Sequence, residues 1–168
     1  MNSECLRITD QLRRAFEGEA WHGPSLRELL SGVGPDQARA RPLSGAHSIW
    51  ELVLHIEVWM LAGLEATRGV PMPTSLPPEK DWPGTGMETQ KSSNAAGRKQ
   101  SSESGLWQEA VQRLWRTSQL LREAIEAFGD DHLSDIVPGR KYTFYFLFHG
   151  IVQHSLYHAG QIALLKKT

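Results

Sequence analysis

Two histidines, His154 and His158, stand four residues apart inside the apolar run QHSLYHAGQIALLKK. On a helix that spacing puts both side chains on one face with Cβ atoms roughly 5–6 Å apart, so both rings can reach one ion. Spacing alone leaves ordinary readings open: two satisfied core histidines, or a surface pair. Burial sharpens the choice, because imidazoles in an apolar core are costly unless something bonds them. His55, in SIWELVLHIEVW, is a third candidate. Three neutral imidazoles can hold a borderline divalent ion such as Zn²⁺, and a missing fourth protein ligand leaves a position for water or substrate. The alternative for His55 is a residue that merely borders the core.

Residues 155 to 157 are Ser, Leu and Tyr. The glutamate of the H-E-x-x-H protease helix is therefore absent, and that class is excluded. No catalytic acid or base can be assigned. Glu51 lies one turn before His55 and has two candidate duties, supporting that ring or closing a capping box with Ser48. Tyr157 and Gln161 flank the pair and could orient a ring or a ligand, or simply pack. His47 precedes Ser48, where a helix-start residue could also reach a pocket mouth. His22, in WHGPSL, sits at a turn where a pocket rim is one reading. His149 projects away from His158, toward the surface or a subunit contact, and His132, in DDHLSD, reads as solvated loop. Trp107 and Trp115 fall at core spacing, whereas Trp82, in KDWPG, could fold over a pocket.

The elements that must position these residues are helices. Four stretches carry a 3.6-residue apolar period and none shows sustained strand alternation, which predicts an all-α fold. The spacing predicts helices over about 2–17, from Ser44 or Ser48 to about Arg68, over about 104–128, and over about 142–166. Ser48 and Glu51 in SIWE supply the capping signal for the second of these, and Gly69 and Gly129 stop signals for the second and third. Between the first two, Pro24 and Pro35 are each placed to open a short helical turn, one of them SLRELL. Residues 70–104 are rich in Pro, Gly and Ser and far exceed the 2 to 8 residues that usually join antiparallel helices. They must form a lid, a disordered loop or a crossover. A crossover lets the second and third helices run parallel, giving a four-helix bundle with directions up, down, down, up. The second and fourth helices are then antiparallel. His55 lies about 7 to 11 residues into the second, and the His154/His158 pair about 10 residues from the end of the fourth, so their heights coincide within roughly one turn.

The 168 residues suffice for one domain with a full core. Lysine plus arginine (18) nearly balances aspartate plus glutamate (19), so the net charge of -1 offers no general attraction to nucleic acid or anionic membrane. No apolar run approaches the roughly 18 residues of a membrane span. One cysteine, Cys5, and an N-terminal stretch without an apolar signal region lead to the expectation of a soluble, cytoplasmic protein.

The histidine in SIWELVLHIEVW, the long crossover and QHSLYHAGQIALLKK together resemble the DinB/YfiT-like metal-binding four-helix bundles, over nearly the whole chain. WHGPSL and HAGQI resemble one branch of that superfamily. The resemblance implies that His55, His154 and His158 bind one divalent ion, usually zinc or nickel, in a homodimer of up, down, down, up bundles. Some relatives are similar to thiol S-transferases that use bacillithiol or mycothiol, or to mycothiol-dependent maleylpyruvate isomerase, which makes a low-molecular-weight thiol and an electrophile the expected reactants. Two alternatives stand beside that activity: a metal-dependent hydrolase, and a non-catalytic metal-binding, stress-associated protein.

Overall fold

The computed structural model describes residues 3–84 and 103–168. Its elements are α1 (Glu4–Glu17), α2 (Leu26–Leu30), α3 (Pro35–Arg39), α4 (Ile49–Thr67), α5 (Pro78–Asp81), α6 (Glu103–Phe128) and α7 (Phe144–Leu165), with a 3₁₀ turn over Asp130–His132. The described residues contain no strand, only an isolated bridge between Ile136 and Thr143. The four long helices fall within two residues of their expected limits, the second starting after Ser48 and not at Ser44. The proposed start of the first at residue 2 lies outside the described residues, as does the middle of the crossover, 85–102. Among the described residues no helix is long and apolar enough to cross a membrane.

Cross-helix contacts fix the directions. Trp50 meets Trp107, Glu57 pairs with Arg113, and Gly63 lies beside Leu121, so α4 and α6 ascend together and are parallel. His55 meets His158 while Gly63 touches Ile151, so α4 and α7 are antiparallel. At α1, Phe16 packs on Trp115 and Cys5 bonds Asp130 just past the end of α6, an antiparallel pair. The bundle is thus up, down, down, up, with α4 and α7 adjacent. Its core is mainly aliphatic and aromatic, with Leu12, Phe16, Trp50, Ile56, Leu114, Leu121, Phe148 and Ile162 all but inaccessible.

Local chemistry explains the helix starts. Ser48 and Glu51 form the expected capping box, the Glu51 N–H donating to Ser48 Oγ at 3.2 Å and the Ser48 N–H to Glu51 Oε2 at 2.8 Å. Thr143 caps α7. Pro35 occupies the first turn of α3 as expected, but Pro24 does not open α2: it precedes Ser25, whose reciprocal bonds with Glu28 make a second capping box. A capping box that satisfies two free donors, one at the Ser25 hydroxyl and one at the Glu28 carboxylate, outcompetes the proline signal beside it. The crossover also holds more structure than its composition suggests, for Pro77 and Pro78 open the helical turn of α5.

Candidate metal centre

α4 carries His55 on the side that faces α7. Residues Leu52 to Ile56 are all buried, because neighbours surround this part of the helix. α7 brings His158 into the same layer, also buried, and His154 one turn earlier, half-buried. His154 Nε2 lies 3.1 Å from His55 Nε2 and 3.1 Å from His158 Nε2. One ligand nitrogen from each ring lies within 4.8 Å of the other two. Nitrogens about 2.0–2.1 Å from a shared ion, at angles between a right angle and tetrahedral, stand roughly 2.9–3.4 Å apart.

The outer nitrogens reveal which way the lone pairs point. His55 Nδ1 is 2.8 Å from the carbonyl oxygen of Asp81 and 3.2 Å from its Oδ1. A carbonyl only accepts, so the proton sits on Nδ1 and His55 Nε2 is bare. His158 Nδ1 likewise donates to Gln161 Oε1 at 2.7 Å, leaving its Nε2 bare. His154 Nε2 faces both, and one proton there can serve only one of them. No arrangement of three neutral rings satisfies both contacts, whereas a cation accepts all three lone pairs. A fourth proton is disfavoured: burial, reinforced by His158 and His55, pushes the His154 pKa down to about 3. Burial also lowers His158, against the hydrogen bond it donates to Gln161 and with the repulsion of His55. The donor set therefore fits a divalent ion.

The surroundings enclose this cluster unevenly. Trp82 lies flat on His55, centroids 3.9 Å apart, and His47 lies flat on the indole at 3.4 Å. Trp59 donates its indole N–H to Asp81 Oδ1 at 2.8 Å. On the other side His154 borders a cleft of about 170 Å³, walled by Trp59, Met72, Tyr142, Phe146 and Ile151.

The remaining sequence candidates separate cleanly. Gln161 orients His158. Tyr157 is exposed and touches that ring only at its edge, 5.1 Å between centroids. Glu51 is committed to its cap, to Arg41 and to the vicinity of His47, 3.8 Å away, so it does not support His55. His47 meets the site by stacking on Trp82. His22 lines a different groove, with Asp10, Arg14 and Trp21 between α1 and the chain that follows it. His149 faces Glu4 of α1 at 3.7 Å, and His132 is exposed beside Asp135. Sequence reasoning missed Asp81 and Trp59. Trp59 had a signal, one turn after His55 on α4; Asp81 had only its place beside Trp82.

A parallel pair of central helices and three inward imidazoles define a class of bundle built around a buried histidine cluster. The sequence model of the DinB superfamily matches residues 20–162, and the chain belongs to that superfamily. No curated protein and no solved structure matches it.

Proposed function

We propose that the protein binds one divalent ion, zinc or nickel as the resemblance to its superfamily implies, and uses it to activate a low-molecular-weight thiol for attack on an electrophile. The observation that supports this reading most is the convergence of three Nε2 atoms, two of them bare, that no arrangement of protons on neutral rings satisfies. A divalent ion held there supplies positive charge that lowers the pKa of a thiol beside it. His55, His154 and His158 would hold that ion, with no fourth protein ligand grouped with them among the described residues. Asp81 and Gln161 keep the outer protons of two rings turned away, and Trp82 excludes water from the His55 face. The cleft beside His154 is apolar, which suits the carbon skeleton of an electrophile. In the transfer the thiol loses its proton to solvent, sulfur bonds the electrophilic carbon, and the leaving group departs with its electron pair.

Hydrolysis is the weaker reading because it asks for a free carboxylate, and Asp81, the one carboxylate against the cluster among the described residues, is already held by Trp59 and His55. The deciding assay compares zinc- and nickel-loaded protein with chelator-treated protein in conjugating 1-chloro-2,4-dinitrobenzene to bacillithiol, mycothiol, glutathione and cysteine. Metal-dependent acceleration with at least one thiol is expected. Equal rates with and without metal for every thiol would reject the transferase and leave an ion that serves folding or regulation.

A further inference from the structure

The three rings are supported differently from behind. The acceptor of His158 is a neutral amide three residues along its own helix. The Nδ1 of His154 is buried with no hydrogen-bond partner. His55 alone is gripped by a charged residue from a distant segment, since Asp81 belongs to the crossover. None of the α5 residues is buried, so apolar burial does not fasten this turn to the bundle. What fastens it is Asp81 on His55 and Trp59, together with Trp82 on His55 and His47.

Resting on the metal-site reading above, we infer that Asp81 is a positioning residue: its backbone carbonyl sets the tautomer of His55, and its carboxylate, held by Trp59, docks the 78–82 strap that carries that carbonyl, so that ion binding is coupled to docking of the strap. A carboxylate behind a ligating imidazole fixes its ring and raises its basicity, and losing such a partner typically weakens binding 10–100-fold. Coupling is reciprocal: a strap that favours the ion is itself held more firmly when the ion is present. Trp59 has a part in this, because its indole N–H aims the carboxylate.

The test uses the full chain with Asp81→Ala, Asp81→Asn and Trp59→Phe, each checked for unchanged helical content. Nitrogen-resolved NMR of the imidazoles in metal-free protein reports the tautomer, and competition with a chromophoric chelator reports Zn²⁺ affinity. The parent should show His55 protonated on Nδ1. Asp81→Ala keeps the backbone carbonyl but frees the strap that carries it, so it should mix the two tautomers and weaken Zn²⁺ binding about 10–100-fold. Asp81→Asn, which keeps an acceptor oxygen without the charge, should recover the tautomer and part of the affinity, and Trp59→Phe should fall between Asn and Ala. An Asp81→Ala protein with the parent's tautomer and affinity overturns the inference. A parent that binds no Zn²⁺ overturns the metal site and the coupling with it, and the tautomer then decides alone whether Asp81 holds His55.

Discussion

Two polar clusters in this bundle tie distant segments together, and they are built in opposite senses. Past the end of α6, the carboxylate of Asp130 accepts from Ser3 Oγ at 2.7 Å, from the Glu4 N–H at 2.8 Å and from the Cys5 N–H at 2.9 Å. Donors surround one anion, and the free N–H groups that open α1 are satisfied by a residue more than a hundred positions away. Those donors hold the Asp130 carboxyl well below the usual carboxylate range. The burial of Cys5 beside that anion pushes its thiol up to about 11, so it stays protonated and inert. At His55, His154 and His158 the sense is reversed: acceptor nitrogens converge and outnumber the protons that neutral rings can place among them. A complete cluster is a staple; one that lacks its counter-charge is a site.

The contrast predicts its largest effect on adding metal. Zn²⁺ at a hundred times its dissociation constant should stabilise the parent by about 2.7 kcal/mol, which for a chain of this length raises the melting temperature by roughly 5–10 °C. His158→Ala should abolish that increment and the stoichiometric ion, as read by thermal melts and elemental analysis of untagged protein. An equal Zn²⁺-induced shift in the variant would mean that the ion binds elsewhere.

This contrast was only half legible in the sequence. The triad was readable because each ring sits on a helix whose period fixes its face, and because the length of the crossover set the direction of α4 against α7. Helical geometry is local and survives without tertiary information. The Asp130 staple was invisible for the opposite reason: DDHLSD and the start of α1 are joined by no period, and nothing in either predicts their meeting. Asp81 failed in the same way. A residue in a Pro- and Gly-rich stretch acquires its place from what it docks on, so Trp82 could be suspected from its aromatic character while the neighbour that grips His55 could not. Glu51 was legible to both of its duties, and the cap won because its partner is three residues away.

A second, smaller effect separates the clusters by pH. In metal-free protein the pKa of His154 is near 3, against about 6.5 for an unfolded histidine, and that of His158 is also lowered. Between those values the unfolded chain takes up protons that the folded one refuses. Stability is therefore greatest above about pH 6.5 and is lost as pH falls toward 3, at up to about 1.4 kcal/mol per pH unit for each such ring. Urea unfolding between pH 6.5 and 5, above the carboxylate range, isolates this slope. His154→Asn should flatten it. A slope unchanged by that substitution would show that the ring is solvated in the metal-free protein.

The smallest effect belongs to the staple. Asp130→Asn keeps one acceptor oxygen but removes the charge that faces the start of α1, so the melting temperature should fall by less than zinc raises it in the parent. Its pH signature runs at a lower range than that of the histidines. The depressed carboxyl stabilises the fold fully above the ordinary aspartate pKa and loses that contribution as pH drops through its own lower value. Zn²⁺ affinity in Asp130→Asn should equal the parent's, because α1 contributes no ligand to the cluster and the staple lies past the far end of α6. Measured by chelator competition, a loss of affinity in this variant would show that the position of α1 reaches the rings on α7, and the two clusters would then be one system.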